Sequence, residues 1–406
     1  MSLHDSDSVV AELLDAEERR QTETISLIAS ENHSTPSVRE ACASIITDKY
    51  AEGYPGARYY GGCEIADQIE NIAQERALKL FPGMANANVQ PHSGTSANLE
   101  VLEALAGAGG RIVGMQLSAG GHLSHGYKRS HTGRIFEAAH YGVDESTGLI
   151  RYEEVRDVVR EHQPKVLIAG ASSYPRSIDY AEMAAIAKEF DAILMADIAH
   201  PAGLMAVGEM PSPVGHADVL TMTTHKTLRG PRGGMILTTE EFAKRVNSSV
   251  FPGGQGGPLM HQIAGKAVAF GETLEKPFHL YAKSVRENAA RLAQRLAEGG
   301  LNIVTGGTDS HMVLVDLREE DVTGAAVEDM GIVAGISLNK NLVPNDPQTP
   351  FVTSGIRVGT AAATTRGMGL DAMDTLAEIL TGMIRGENPG SFRGRVLELC
   401  TAYPLP

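Results

Sequence analysis

Hydrophobic and polar positions along this chain follow two periods. Over residues 8–20 (SVVAELLDAEERR), Val9, Val10, Leu13 and Leu14 share one helical face with charges elsewhere, which predicts an N-terminal arm helix. From about residue 65 to 245, helical patterns alternate with short apolar runs. NIAQERALKLF, ANLEVLEALAG, EEVRDVVREH and YAEMAAIAKEF predict helices. RIVGMQL, KVLIAGAS, AILMADIA, ADVLTM and MILTT are apolar at nearly every position, as strands covered on both faces must be. Strand and helix in alternation predict an α/β domain with a mostly parallel sheet. After the Gly/Pro-rich stretch FPGGQGGP (251–258), a long helical pattern runs from about Met260 to Leu296, interrupted near Pro277. HMVLVDL, an amphipathic segment near 323–331, the loop NKNLVPNDPQTP, SGIRVGT and a final helix LDAMDTLAEILTGMI predict a smaller α+β domain. The expected division is an arm over 1–20, a large domain over 21–275 and a small C-terminal domain over 276–406.

Composition narrows the class. The 406 residues carry a net charge of −15, which disfavours phosphate backbones and anionic membranes as partners at long range. The three cysteines, Cys42, Cys63 and Cys400, are widely spaced, which argues against a disulfide framework or a metal-binding CxxC pair and fits a reducing, cytoplasmic compartment. No apolar run approaches the roughly 18 residues of a membrane span, and MSLHDSDSVV has no basic-then-apolar signal pattern. No metal is expected.

Four segments carry candidate chemistry. In TMTTHKTLRGPRGG (221–234), Lys226 follows Thr223 and His225 after an apolar strand. An amine attacks a carbonyl usefully when desolvation or nearby cations lower its pKa, and His225, Arg229 and Arg232 are neighbours of that kind. In AILMADIAHPAG (192–203), Asp197 ends a strand, where α/β folds expose ligand-binding groups, and His200 follows three residues later. In QPHSGTSANLEVLEAL (90–105), Ser93, Gly94 and Thr95 precede a helix whose N–H groups suit a phosphate. In SGIRVGT (354–360), Arg357 suits a carboxylate. Each also has an ordinary reading: a surface lysine, helix N-caps at Asp197 and Ser93, a structurally paired arginine. GAGG (107–110) follows a helix rather than a strand and is no dinucleotide fingerprint.

Taken together, these segments resemble serine hydroxymethyltransferase. The matching motifs run almost end to end: SLIASEN (26–32), KYAEGYPGARYYGGCE (49–64), ANVQPHSG (87–94), GGHLSHG (120–126), YGVD (141–144), THKTLRGPRGG (224–234), FPGGQGGPLMH (251–261), GGTDSH (306–311), NKNLVPNDP (339–347) and TSGIRVGT (353–360). The resemblance implies a fold-type-I, aspartate-aminotransferase-like architecture with pyridoxal 5'-phosphate (PLP) as cofactor and tetrahydrofolate as co-substrate. It implies cleavage of the Cα–Cβ bond of serine, with transfer of the one-carbon unit and formation of glycine. Lys226 would hold PLP covalently, Asp197 would pair with its ring nitrogen and His122 would stack on its ring. Ser93, Gly94 and Thr95 would bind the phosphate, helped across a dimer interface by Tyr50, Gly256 and Gly257. His200 and Ser172 would hydrogen-bond around the ring oxygen and the substrate, with Thr223 and His225 beside the lysine. Arg357 would clamp the amino acid carboxylate, assisted by Ser30 and by Tyr60 of the neighbouring subunit. Glu52 would move the proton, and Leu117, Leu123, Asn341 and Phe251 would surround the folate. A homodimer is the smallest unit that this implies, and a tetramer is equally compatible.

The chain departs from the usual family pattern at Thr95–Ser96, Ala119, Ser173–Tyr174–Pro175, Pro201, Ala361 and the basic loop YKRSHTGR (127–134). Gaining Pro201 and losing a proline at 361 is expected to reshape the pocket walls. That leaves open a specialised relative acting on α-methylserine, a threonine aldolase or transaldolase, and a non-catalytic folate- or RNA-binding protein.

Overall fold

The apolar runs become the centre of a seven-stranded sheet in the computed structural model, which describes residues 2–406. Its strands are β1 (Asn86–Asn88), β2 (Arg111–Met115), β3 (Glu137–Tyr141), β4 (Val166–Gly170), β5 (Ile193–Asp197), β6 (Val219–Thr223) and β7 (Gly234–Thr238). Their spatial order is β1-β7-β6-β5-β4-β2-β3. Strand β7 runs antiparallel to both of its neighbours, and every other pairing is parallel. The protein is thus α/β with a mostly parallel central sheet.

Both faces of this sheet are covered, which is why the strands lack alternation. Leu167, Ala169, Leu194, Ala196, Leu220 and Met222 face one core. Val166, Ile168, Met195, Val219 and Ile236 face another, beneath Val101, Leu102 and Leu105 of the helix Gly94–Leu105. Strands β1 and β3 were not expected. They lie at the two edges, and their sequences, NAN and EAAHY, are polar or small. An edge position removes the demand for a continuous apolar run.

The long helical pattern resolves into two helices, Met260–Thr273 and Lys276–Glu298. Pro277 sits in the first turn of the second, where its missing N–H costs nothing. That second helix packs Phe278, Tyr281 and Val285 in one core, and Leu292 and Leu296 in another. The second core lies on an antiparallel sheet of β8 (Asn302–Ile303), β9 (Met312–Asp316), β10 (Asn339–Asn341) and β11 (Gly355–Gly359), in the order β8-β9-β11-β10. The N-terminal segment crosses to join it: Ile25 pairs with Ile336, and Ile25 and Leu27 are buried in the same core. A Cβ on Gly359 would stand 2.4 Å from Ala29 Cα, so only glycine lets this segment lie against β11. The helix Arg393–Ala402 was not expected either, since its apolar positions do not form a clear stripe.

The arm forms the helix Ser8–Glu23, capped by the Asp7 carboxylate. Its expected apolar face is present but uncovered within the chain: Val9, Val10, Leu13 and Leu14 are all exposed, and only Ala11 is buried. Among the described residues, no helix is long and apolar enough to cross a membrane.

Candidate active site

The carboxyl ends of β4, β5 and β6 meet at a cavity of about 300 Å³. Of the expected residues, Ser30, Ser93, Gly94, Thr95, His122, Ser172, Asp197, His200, Thr223, His225 and Lys226 line it. Register explains the convergence. Gly170 on β4 lies beside Asp197 on β5, and Asp197 beside Thr221 on β6, so the loops after these strands open on one point. A larger cleft of about 690 Å³ lies over Tyr152, Tyr174 and Arg176 and holds none of the expected residues.

Asp197 is the most tightly held group. Its Oδ2 accepts from His125 Nε2 at 2.8 Å and from Asn98 Nδ2 at 2.8 Å, and its Oδ1 accepts from the Ala199 N–H at 3.0 Å. Burial alone would raise its pKa. The hydrogen bond and charge of His125, with His122 and Asn98, outweigh burial and hold the carboxyl well below its usual range. Asn98 Nδ2 also donates to Ser124 Oγ at 2.7 Å, and Ser124 meets His122 Nδ1 at 2.6 Å. The Ser124 N–H donates to the same Nδ1, so neutral His122 carries its proton on Nε2. Burial lowers the pKa of His122 to about 4.

His125 and Asn98 were missed in the sequence. His125 is the second histidine of GGHLSHG, and Asn98 lies one helical turn beyond Ser93, so both stood inside motifs already singled out. The ligand atoms of His122, His125 and Asp197 lie within 4.8 Å of one another. They are bonded to one another and to Ser124 and Asn98, which leaves them committed within the protein.

Lys226 is 8% exposed. Its Nζ has no hydrogen-bond partner among the described residues. Burial lowers its pKa to about 8; Asp197 opposes this, and Arg357 and Arg232 add to it. Arg229 was expected to contribute, but it turns away and stacks over Phe278 and Tyr281, 5.4 and 4.6 Å from the ring centroids. His225 is neutral, with burial lowering its pKa to about 3.

The phosphate-type N-terminus and the ordinary N-cap prove to be one feature. Ser93 Oγ accepts from the Ser96 N–H at 3.1 Å, while Ser96 Oγ accepts from the Ser93 N–H at 2.9 Å. This reciprocal cap leaves other first-turn N–H groups free at the cavity. A Cβ on Gly94 would meet Thr223 Cγ2 at 2.7 Å, so glycine is needed for the helix to approach β6.

Arg357 lies behind the wall. Its Nη1 donates to the Ser172 carbonyl at 2.6 Å and its Nε to Asn339 Oδ1 at 3.2 Å. It is 9% exposed and has no carboxylate partner among the described residues. Burial lowers its pKa to about 10. A buried guanidinium without a counter-ion is costly unless an anion arrives.

The remaining expected residues do not reach this cavity within one chain. Tyr50, Glu52, Tyr60, Phe251, Gly256 and Gly257 belong to a second group. Tyr50 OH donates to Glu52 Oε1 at 3.2 Å, and the Tyr50 and Tyr60 rings pack edge to face at 5.1 Å. Gly256 and Gly257 lie against Glu52 and the Tyr50 ring, so close that a Cβ would stand 3.2 and 3.1 Å away. Phe251 packs on Tyr54 and Tyr59. Tyr50, Tyr59 and Tyr60 are exposed. Leu117 lines a separate cavity of about 460 Å³ that shares His122 with the first. Leu123 is exposed, and Asn341 ends β10 with its amide on the Leu342 carbonyl.

Pro201 and Ala361 do not line the cavity around Lys226, contrary to expectation. Pro201 borders a chamber of about 30 Å³ beyond His200, and Ala361 opens the buried turn of helix after β11.

These groups fit PLP chemically: an uncommitted amine, a fixed carboxylate, His122 on the wall of the same cavity, and helix N–H groups for a phosphate. A family model for serine hydroxymethyltransferase matches residues 3–380, nearly the whole chain, and that family is PLP-dependent and uses tetrahydrofolate. The protein that carries this cavity is a member of the serine hydroxymethyltransferase family.

Proposed function

We propose that this protein interconverts serine and glycine, passing the hydroxymethyl carbon to tetrahydrofolate, with the cavity around Lys226 as its PLP site. The observation that carries this reading is the uncommitted, desolvated Lys226 amine facing the same cavity as a fixed, ionised Asp197. PLP, when bound, supplies the electron sink for the carbanion left at Cα. The chain's residues do the rest. With its pKa lowered to about 8 by burial, Lys226 presents a far larger neutral-amine fraction near neutral pH than an ordinary lysine does. Asp197, held ionised by His125 and Asn98, would keep the cofactor's ring nitrogen protonated. His122 would cover the ring face of the cofactor and the Ser93–Thr95 turn would hold its phosphate, with Thr223 and His225 lining the same cavity as the lysine. Arg357, lacking a counter-ion, takes the substrate carboxylate with Ser30.

Glu52, Tyr50, Tyr60, Phe251, Gly256 and Gly257 complete the site from a second copy of the chain. The exposure of Tyr50 and Tyr60 and the grouping of these residues away from Lys226 support a homodimer, with Glu52 as the group that moves the proton at the substrate hydroxyl. The cavity at Leu117 adjoins the cofactor site through His122 and is read as the pterin site; Leu123 and Asn341 are the sequence neighbours of its lining residues His122 and Leu342. The architecture is read as fold type I, with a large domain over 21–275 and a small one over 276–406, acting in the cytoplasm.

The test is to load the protein with PLP and measure absorption and turnover. A visible band near about 420 nm, expected of a lysine-bound cofactor, and glycine formed from L-serine only with tetrahydrofolate support the reading. Turnover of α-methylserine alone overturns the substrate assignment. No band overturns the enzyme assignment, and salt-dependent RNA binding would then favour the regulatory alternative.

A further inference from the structure

His311 closes the motif GGTDSH and immediately precedes β9, yet no role falls to it in the reading above. It is fully buried. Its Nε2 stands 3.1 Å from the Ala29 carbonyl and 3.3 Å from His200 Nδ1. The two imidazole planes are 22° apart with centroids at 5.5 Å, the spacing of rings joined edge to edge through nitrogen rather than stacked face on face.

The hydrogen positions follow from the partners. A backbone carbonyl only accepts, so His311 Nε2 must carry a hydrogen. His200 Nδ1 then faces a donor and is itself bare. A neutral His200 therefore carries its single proton on Nε2, the nitrogen that has no partner among the described residues, while the ring lines the cofactor cavity. The opposite assignment would leave His311 Nε2 and the Ala29 oxygen as two lone pairs facing each other. Both rings are neutral, because burial and the nearby Lys226 and Arg357 charges lower their pKa values. The remaining lone pair, on His311 Nδ1, has no protein partner. His311 borders the chamber of about 30 Å³ shared with Asp197, Ser310 and Tyr180.

We propose that His311 is a positioning residue that fixes His200 as an Nε2–H donor towards the cofactor cavity, and does so from the sheet that carries Arg357. The coupling is structural. β9 pairs along its length with β11, where Leu314 lies opposite Arg357, and the Thr360 N–H donates to the His311 carbonyl at 2.9 Å. Ala29, which orients His311, immediately precedes Ser30 on the cavity wall. The carboxylate-binding arginine and the tautomer of His200 thus share one rigid support. This inference rests on the PLP reading of the cavity.

The test compares His311→Phe and His311→Gln in the full-length, PLP-loaded protein. Phenylalanine keeps the ring and removes the donor, whereas a glutamine amide keeps an N–H near the position of Nε2. For His311→Phe we expect kcat for serine to fall by about tenfold or more, KM to change less, and the pH midpoint of the visible band to move by about half a unit or more. His311→Gln should stay within about threefold of the parent, with a near-parental midpoint. The proposal is overturned if a folded His311→Phe protein keeps the parental midpoint and kcat, or if His311→Gln behaves like it. Should His311→Phe not fold, ¹⁵N-histidine NMR of the parent decides, with His200→Asn used for assignment. A His200 protonated on Nε2 supports the proposal and one protonated on Nδ1 overturns it. That spectrum needs no cofactor, so a parent without the visible band would count against the PLP reading alone.

Discussion

Two lysines lie buried a short stretch of chain apart, and their amines meet opposite surroundings. Lys226 is 8% exposed and Lys266 is 2% exposed. Burial lowers the pKa of each, to about 8 and about 7 respectively, with carboxylates opposing it in both places. What differs is what the nitrogen meets. Lys266 Nζ donates to the carbonyls of Val89, Pro91 and Gly234 at 2.6, 3.1 and 2.8 Å. All three of its hydrogens are used, and it ties together the chain entering the helix Gly94–Leu105, the start of β7 and the helix Met260–Thr273. Lys226 has a cavity in place of those carbonyls. Desolvation alone therefore does not make a nucleophile; it takes desolvation together with unmade hydrogen bonds and room for a carbonyl carbon to approach. Glu100, near Lys266, sharpens the contrast: burial raises its carboxyl to about 8 against the pull of Lys266, which leaves it a weak counter-ion at neutral pH.

The largest effect that would break this comparison is on turnover. Lys226→Ala should cost roughly a thousandfold or more in serine turnover and remove the visible band, while unfolding of the cofactor-free protein shows no loss of stability. Lys266→Met should do the reverse. Leaving three carbonyls without a donor should destabilise the chain by about 3–5 kcal/mol in denaturant unfolding. If Lys266→Met unfolds like the parent, the structural role assigned to Lys266 is wrong.

Titration gives a third test. Lys226 has a pKa of about 8 when folded, against 10.5 for an unperturbed lysine. Between those values the unfolded chain binds the extra proton, so stability should rise with pH across the window from about 8 to 10.5 and show the full penalty below it. Lys226→Met should remove this share of the rise, about 3 kcal/mol at most for a shift of this size, and leave the share due to Lys266, when cofactor-free unfolding is followed from pH 7 to 10.5. Next, Arg357→Lys should raise KM for serine about 10- to 100-fold, because one ammonium cannot replace a two-pronged guanidinium; an unchanged KM would remove Arg357 from the carboxylate site. The smallest expected effect is that of Asn98→Ala. Asp197 keeps its His125 and Ala199 donors, so PLP should bind about fivefold more weakly, near 1 kcal/mol, as read by equilibrium dialysis.

Much of the fold was legible because it depended on local repetition. The buried strands β2, β4, β5, β6 and β7 announced themselves as apolar runs, since a sheet covered on both faces leaves no position free to be polar. The edge strands β1 and β3 gave no such signal, because an edge relaxes that demand. The cavity residues near Lys226 were legible as strand ends and helix starts. His125, Asn98 and His311 were not, because their roles lie in contacts with residues 72, 99 and 111 positions away. Arg229 was misjudged for the complementary reason: closeness in sequence to Lys226 said nothing about where its backbone would send it.

The sequence by itself determined the family and the α/β alternation, and singled out the amine, carboxylate and arginine of the proposed site, because each is written in a local pattern or a contiguous motif. Only the tertiary structure decided which of the two buried lysines is free to react, which histidines hold Asp197 and His200, and that the Glu52–Tyr50–Phe251 group stands apart from Lys226 within one chain. The physical reason is that reactivity here depends on which hydrogen bonds are left unmade. Those are set by carbonyls and side chains brought together from distant parts of the chain, and no short stretch of sequence contains them.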